Sequence, residues 1–367
     1  MRTRCCAATV MVPAQPGAEP GRLARGVDVR HSRCRGATSA PRRRTAPAEP
    51  REVMTGFRRL AALLLAALAL LAGATACATR PPAADPPGPV DDPASAFPAK
   101  VQIPGQEPVT LPQQPKRIVS LSPTATETLY AVGAGDQVVA VDQFSDFPAQ
   151  APRTELSALN SDAAAIGGQN PDLVIAPDNA TELAEGLRAL DVPVLLTPAP
   201  ASLDDAYRQI EVIGQATGHT KAAKDLAGRM RSDIERLVES TPKPPRPLTY
   251  YHEVSPDHYT ATSQSFVGSV YARFGLINIA DPAGGPFPQL SEEHIVQANP
   301  DLIFLADTKC CQVTAAAVAA RPGWNALTAV REGRVVELDD DTAGRWGPRV
   351  VDLVRSISEA VKKTQHG

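Results

Sequence analysis

The sequence predicts an α/β protein with two lobes, each built on a parallel sheet, and one long helix between them. Short continuous apolar runs alternate with helical stretches, which is typical of parallel strands covered on both faces. The run Asn-Pro-Asp-Leu at 170–173 recurs at 299–302, each time after a helical stretch and before a polar loop. Two copies of one unit indicate two lobes of similar construction.

The longest helical pattern lies between the two copies, at about 219–240. Its apolar residues recur at the spacing of one helix face; they are Leu226, Met230, Ile234 and Leu237. A helix of this length spans about 33 Å, enough to run across both lobes. We therefore divide the ordered part into an N-terminal lobe (113–217), a connecting helix (218–240) and a C-terminal lobe (241–367).

The N-terminal lobe is predicted to hold four strands, which lie at 117–122, 137–141, 172–176 and 193–197. Thr124 and Glu127 form a Thr-x-x-Glu pattern directly after the first strand. This pattern predicts a capping box at the start of a helix, in which Glu127 serves the backbone of its own helix.

The chain carries an export signal at 54–76. Arg58 and Arg59 precede an apolar stretch that ends near Leu71, and small residues lead to Cys77. This order defines a secretory signal peptide, and the apolar stretch is too short to favour the alternative, a retained membrane span. The small residues and Cys77 resemble a bacterial lipobox, although Ala74 stands where leucine is usual. We expect lipidation at Cys77 and a lipid anchor on the outer face of the cytoplasmic membrane.

Two further segments flank the signal. Residues 1–53 are rich in Arg, Pro and Ala without periodicity, so we interpret them as a non-native extension and Met54 as the initiator. The alternative, a basic nucleic-acid-binding arm, is disfavoured because no aromatic residues lie among the arginines. Residues 77–112 are proline-rich and are predicted to form a tether.

Charge and cysteine content exclude several classes. The whole chain carries −3, and residues 1–76 hold 13 Lys and Arg against 4 Asp and Glu, so the remainder carries −12. An acidic protein is unsuited to nucleic acid, and an anionic ligand would need local positive groups. Beyond the cysteines of the extension and Cys77, only Cys310 and Cys311 remain. Two cysteines are too few for a disulfide scaffold or a structural zinc site. They could close a vicinal disulfide in an oxidising compartment.

A series of segments carries a family resemblance. The segments are RIVSLSPTATETLYAVGAGDQVVAV, QFSDFP, the two Asn-Pro-Asp runs, PFPQLSEEHIVQANPD and GRWGPRVVDLV. In this order, residues 113–363 resemble the periplasmic binding proteins that serve ATP-driven importers of vitamin B12, haem and ferric siderophores. Within that family the chain looks most similar to actinobacterial lipoproteins that bind iron(III) dicitrate. The resemblance implies two Rossmann-like lobes joined by a rigid backbone helix, an ABC permease as partner, and binding without catalysis. We also expect a monomer.

Ligands of open α/β sheets bind at the carboxyl ends of the strands, where we place the candidate contacts. The candidates are Ser122, Thr124, Phe144, Asp178, Tyr251, Tyr259, Arg345 and Trp346. The helix that starts at Thr124 would offer backbone N–H groups to an anion. Arg345 would meet a carboxylate with its planar fork, while Trp346 and the tyrosines would pack the organic shell. Arg349 fits a ligand contact or a structural ion pair, and 339–341 fit a cation site or a solvated loop.

The resemblance also places one permease-docking glutamate on each lobe. In the second lobe this position is Glu293; in the first lobe it falls on Ala164, with Asp162 nearby. Either Asp162 substitutes, or the protein has a different or additional partner.

The leading hypothesis is capture of a ferric siderophore or ferric citrate and its delivery to a permease. The ligand would bring its own Fe³⁺, so no protein cofactor or metal site is expected. The alternatives are a haem or cobalamin binder, or a cell-envelope interaction protein that has lost transport. An enzyme is disfavoured because the chain lacks nucleophile-elbow, zincin, phosphate-loop and dinucleotide motifs.

Overall fold

The computed structural model describes residues 96–365 of the chain. The predicted extension (1–53), the signal peptide (54–76), Cys77 and most of the predicted tether lie outside the described residues. Within 96–365, no helix has the length and apolar character that crossing a bilayer requires.

An antiparallel hairpin opens the described part, with β1 at Ala99–Val101 and β2 at Val109–Leu111. Val101 and Leu111 are buried in the main core. The tether prediction is therefore wrong for 96–112, because the folded part begins before residue 112. Each strand has only three residues, so its alternation of buried and exposed side chains is too short to stand out in a proline-rich segment.

The N-terminal lobe is a four-stranded parallel sheet with helices on both faces. Its strands are β3 Ile118–Ser120, β4 Val138–Val141, β5 Leu173–Pro177 and β6 Val194–Thr197. Its helices are α1 Pro123–Ala131, α2 Ala163–Gly167, α3 Thr181–Arg188 and α4 Leu203–Thr217. The strands lie in the order β4-β3-β5-β6, and all neighbours are parallel.

The connecting helix is α5, Thr220–Glu239, and its 20 residues span about 30 Å. At its start, the side-chain amides of Gln114 and Gln137 donate to the Thr217 carbonyl at 2.9 and 3.1 Å. Just past its end, the hydroxyls of Thr241 and Ser358 hydrogen-bond at 2.6 Å. These contacts tie one end to the N-terminal lobe and the other to the last helix, so the prediction of a backbone helix is confirmed.

The C-terminal lobe repeats the plan. Its strands are β7 Thr249–Glu253, β8 Ile277–Asn278, β9 Leu302–Leu305 and β10 Val335–Glu337. Its helices are α6 Phe266–Ala272, α7 Glu292–Ala298, α8 Ala315–Ala319, α9 Thr328–Arg331, α10 Asp340–Gly344 and α11 Val350–Lys363. The order is β10-β9-β7-β8, again all parallel. In both lobes the first strand lies between the second and the third, and the fourth lies beyond the third. This shared order confirms two Rossmann-like lobes.

The repeated Asn-Pro-Asp run has the same structural role in each lobe. The Asp172 carboxylate accepts from the backbone N–H of Arg117 at 2.9 Å, and the Asp301 carboxylate accepts from that of Thr249, also at 2.9 Å. Each aspartate thus fastens the start of the third strand to the start of the first strand. This shared function explains why the run occurs twice.

The hydrophobic core is continuous between the lobes. One cluster joins the inner faces of both sheets to α4, α5 and α11; its members include Leu173, Ile213, Ile234, Phe304 and Ile357. The outer face of each sheet has a separate cluster of its own. Because the sheets share a core around the backbone helix, the loops at their carboxyl ends are held close together.

Candidate functional site

The loops at the carboxyl ends of the two sheets meet through hydrogen bonds and ion pairs. Helix α1 and loop 142–148 of the N-terminal lobe contact loops 306–311 and 338–349 of the C-terminal lobe. We call the charged side chains involved the inter-lobe ion cluster; they are Glu127, Asp146, Lys309, Asp341, Arg345 and Arg349. The cluster lies at the sheet edge where ligands of this architecture bind.

Glu127 is the central acid of the cluster. Its side chain, 2% exposed, accepts from Arg345 Nη1 at 3.0 Å. It also accepts from Arg349 Nε at 2.9 Å and Arg349 Nη2 at 2.6 Å. The two-point contact is the strong fork geometry of arginine and carboxylate. Arg349 is therefore a structural arginine at the start of α11, the second of the two roles that its position suggested.

The capping-box prediction for Thr124 and Glu127 is wrong. The N-cap of α1 is Ser122, whose Oγ accepts from the Ala125 backbone N–H at 3.4 Å. Helix α1 starts two residues earlier than a Thr124 cap would require, since Pro123 takes the first helical position, where its missing N–H costs nothing. Glu127 is then free to reach across to the other lobe.

Arg345 lies between the two lobes, and its guanidinium is already surrounded by oxygen atoms. Besides Glu127, it contacts Asp146 Oδ1 at 3.0 Å, Asp341 Oδ1 at 2.6 Å and the Phe144 carbonyl at 3.1 Å. Its side chain is only 13% exposed. A ligand carboxylate would have to displace one of these partners before it could pair with Arg345.

Asp146 receives two cations of the C-terminal lobe. Arg345 binds its Oδ1, and Lys309 Nζ contacts its Oδ2 at 3.2 Å while also pairing with Asp341. Burial favours a higher pKa for Asp146, but Arg345 and Lys309 together outweigh it and lower the pKa. Asp146 therefore stays ionised and links the lobes at two points.

Trp346 and Thr124 line a small cavity between the lobes and α4. Its volume is about 10 Å³, room for about one water molecule, and its other lining residues are Ala125, Thr128, Thr197, Ala206, Gln209, Ile210 and Ile213. The buried Trp346 Nε1–H has no hydrogen-bond partner. This volume is below the range of pockets that enclose a drug-sized molecule. A larger ligand therefore needs the lobes to part.

The aromatic candidates divide into exposed and buried residues. Phe144 and Tyr259 are 45% and 43% exposed, so their rings are available for contact. The expectation that Tyr251 faces the cleft is wrong, because its ring is fully buried and packs edge-to-face on Trp324, with centroids 6.1 Å apart. Tyr251 points to the outer face of the sheet, which α8 and α9 cover.

Two aspartates follow the strands of the N-terminal lobe directly. Asp142 comes after β4 and Asp178 after β5, and burial raises the pKa of both. Asp142 is 3% exposed, and its Oδ1 has no hydrogen-bond partner. Sequence reasoning chose Asp178 but missed Asp142, although both follow the same signal, an acid directly after an apolar strand.

A second buried ionic group lies inside the C-terminal lobe at the ends of β7 and β9. Arg321 forks onto Glu253, with Nη1 to Oε2 at 2.5 Å and Nη2 to Oε1 at 2.6 Å. Asp307 lies nearby, fully buried, and neither of its carboxylate oxygens has a hydrogen-bond partner. Burial and the neighbouring Glu253 raise the pKa of Asp307 to about 8.

The aspartates at 339–341 serve the protein's own structure. Asp339 caps α10 by accepting from the Thr342 backbone N–H at 3.0 Å. Asp340 accepts from the backbone N–H groups of 309–310, and the third aspartate belongs to the inter-lobe ion cluster. Over 96–365, no group of three or more His, Cys, Asp and Glu side chains could hold a metal ion.

Comparison with known proteins places this geometry in a family. A family model described as periplasmic binding protein matches residues 118–342. The chain belongs to the periplasmic binding protein family. It is a solute-binding protein of the ABC importer type.

Relatives of this periplasmic binding protein carry different ligand names. An uncharacterised ABC transporter substrate-binding lipoprotein of Bacillus subtilis is 32% identical over 310 residues, covering 82% of this chain and 95% of the relative. A cobalamin-binding protein of Halobacterium salinarum is 31% identical over 321 residues, covering 83% and 85%. A periplasmic haem-binding protein from Roseiflexus sp. RS-1 aligns with a TM-score of 0.60 at 28% identity, covering 67% and 98%. None of these three names singles out ferric dicitrate.

The two positions considered for permease docking are equivalent in the two lobes of this binding protein. Asp162 caps α2 by accepting from the Ala165 backbone N–H at 2.7 Å, and Ser291 caps α7 in the same way. Counting from these caps, Glu293 corresponds to Ala164, and both are exposed. The acid is thus present on one lobe only, and Asp162 lies two residues away with its carboxylate occupied by the cap.

Sequence reasoning missed Asp146, Lys309 and Asp341 as members of the inter-lobe ion cluster. Asp146 and Lys309 lie in loops after a strand and Asp341 lies in α10 after β10, each four or five positions beyond the strand's last residue. Charge at such a position was the available signal. What the sequence does not contain is the pairing between the lobes, because those partners lie 163 to 222 residues apart along the chain.

The adjacent cysteines lie beside the cluster, in the loop after β9. Their Sγ atoms are 3.0 Å apart and are not joined by a disulfide. Burial, chiefly, raises the pKa of the Cys310 thiol. The thiol form that this favours is a poor metal ligand and a poor nucleophile.

We expect the double variant Cys310→Ser, Cys311→Ser to keep ligand affinity within about twofold of the unmodified chain. The reason is that the loop is held by Asp340, which binds the backbone of 309–310 and not the thiols. Titration calorimetry of both proteins with the same ligand checks this. If the variant keeps its thermal stability but loses ligand binding, the cysteines are ligand contacts.

Proposed function

We propose that this chain is an exported, lipid-anchored receptor that captures a corrinoid of the cobalamin type between its lobes and delivers it to an ABC permease. The observation that carries the proposal is the pairing of Arg345 with acids of the protein itself. This residue was expected to meet an anionic ligand, and its guanidinium is instead neutralised by Glu127, Asp146 and Asp341. Export and the lipid anchor rest on the signal at 54–76 and on Cys77.

The remaining cations of the cluster are equally occupied. Arg349 is paired with Glu127, and Lys309 with Asp146 and Asp341. Ferric citrate and the propionates of haem are anionic, so each would need cations that the cluster does not offer. A corrinoid presents amides and a large apolar ring, which suit the exposed Phe144 and Tyr259.

Relatives give a second line of support. The Halobacterium salinarum protein that is named for cobalamin binding shares 31% identity over 83% of this chain. A ferric hydroxamate complex without net negative charge would fit the same cleft, so the siderophore hypothesis stays as the second candidate. Ferric citrate, the other ligand of that hypothesis, is disfavoured by its charge.

The test is titration calorimetry of the purified chain against cyanocobalamin, haemin, ferric citrate and a neutral ferric hydroxamate. We expect saturable binding of cyanocobalamin with a Kd of about 1 μM or tighter, and markedly weaker binding of the anionic complexes. Tight binding of ferric citrate without cobalamin binding would contradict the proposal. If none of the four compounds binds, an envelope-interaction protein is favoured instead. The supporting observation for that function is the exposed Ala164 at the position of a docking acid.

A further inference from the structure

We infer that the N-terminal wall of the cleft recognises hydrogen-bond donors on the ligand through Asp142 and Asp178. The ligand class is then neutral or cationic, with amide N–H groups around its edge. This inference rests on the proposed function, because it describes the chemistry of the same cleft.

The position of the two aspartates supports a shared role. Asp142 follows β4 and Asp178 follows β5, and in the sheet order these strands flank β3. Neighbouring strands lie about 4.8 Å apart, so the two positions are roughly 10 Å apart across the sheet edge. A macrocycle that carries amides on its periphery can reach both at once.

Neither carboxylate has a cation of its own. Asp142 Oδ1 is buried without a hydrogen-bond partner, while hydrogen bonds from Ser145 and Phe144 serve the rest of the group. Asp178 is half-buried and meets only backbone N–H groups, its own and that of Asn179. Among residues 96–365, no ion pair includes either one.

An unpartnered buried acceptor is costly, and a ligand N–H would remove that cost. Arg345 is the cation whose charge acts on Asp142, but its hydrogen bonds go to the inter-lobe ion cluster and the Phe144 carbonyl. The carboxylates therefore remain available as acceptors when the lobes part. A ligand that brings donors satisfies them, whereas one that brings acceptors leaves them unsatisfied.

The cations of the opposite wall are already paired with acids. Lys309, Arg345 and Arg349 belong to the inter-lobe ion cluster. Strands β7, β9 and β10 end near Glu253, Asp307 and Asp339, and the arginine beside them, Arg321, is held by Glu253. Residues 77–367 together carry −12. With the cations of this wall paired, the global field acts against an anionic ligand and in favour of a donor-rich neutral or cationic one.

The experiment compares cyanocobalamin with its monocarboxylates, in which one peripheral amide is hydrolysed to a carboxylate. We expect the unmodified chain to bind cyanocobalamin at least about tenfold more tightly than the isomers whose carboxylate meets this wall. Asp178→Asn should weaken cyanocobalamin binding by about tenfold. It should also reduce the preference for cyanocobalamin over the monocarboxylates, because an asparagine amide can donate to the ligand carboxylate. Asp233→Asn, at an exposed position on α5, is the control for lost charge. It should leave the affinities for cyanocobalamin and for the monocarboxylates unchanged.

The outcomes separate this inference from the proposed function. If every monocarboxylate binds the unmodified chain as tightly as cyanocobalamin, the inference is overturned while corrinoid capture stands. If the folded chain binds no cobalamin at all, both are overturned. Should Asp178→Asn lose its fold by circular dichroism, the preference of the unmodified chain for the amide over the carboxylate still decides the question.

Discussion

Replacing Glu127 with glutamine is expected to lower the free energy of unfolding by about 2–4 kcal/mol. Glutamine keeps the volume of the side chain but turns a charged acceptor into a group that also presents N–H donors to two arginines. Arg349 would lose the carboxylate that binds it at two points, and Arg345 would lose one of three. Both arginine side chains are mostly buried, with Arg349 21% and Arg345 13% exposed, so water replaces the lost partner poorly. Urea denaturation followed by circular dichroism measures the difference.

A matched control exists on the last helix. Asp352 pairs with Arg355 on the surface of α11, and both side chains are about half exposed. Asp352→Asn should cost less than about 0.5 kcal/mol, because an exposed pair gains little over hydration. If the two substitutions prove equally mild, the inter-lobe ion cluster does not hold the lobes together and the two sheets are joined mainly by the shared core.

The fold was readable from the sequence because its determinants are local and repeated. The Asn-Pro-Asp run encodes a fastening between the first and third strands of each lobe, so its recurrence revealed both lobes. The apolar spacing in α5 revealed the backbone helix, which buries Met230 and Ile234 on one face. The hairpin at 99–111 escaped notice because two strands of three residues carry too little pattern.

The site was less predictable because its contacts are not local. Thr124 and Glu127 have the spacing of a capping box, yet the arginines that bind Glu127 lie 218 and 222 residues away. Tyr251 illustrates a different limit. Both faces of a parallel sheet are covered, so a buried strand such as β7 does not show from its sequence which side chains face the cleft.

The second large effect is a pH-dependent gain in stability from Asp307→Asn. An aspartate in an unfolded chain has a pKa near 3.9; in the folded protein, burial and Glu253 raise the pKa of Asp307 to about 8. Between these two values the folded state holds a proton that the unfolded state has released. The free energy of unfolding therefore falls as pH rises from about 4 to about 8. Asparagine cannot ionise, so the variant avoids this loss.

We expect Asp307→Asn to match the unmodified chain near pH 4 and to exceed it by at least about 2 kcal/mol at pH 8, since each unit of pKa shift corresponds to about 1.4 kcal/mol. His252, which is buried against the Tyr271 hydroxyl, titrates in the opposite sense, because burial lowers its pKa to about 4 and stability falls as pH drops from 6.5. It is present in both proteins and cancels in the difference. Urea denaturation at four pH values between 4 and 8 provides the measurement, with exposed Asp233→Asn as the control that should give a flat difference. A difference for Asp307→Asn that is equally flat would contradict the raised pKa and would mean that Arg321 keeps the Asp307 carboxylate ionised in the folded protein.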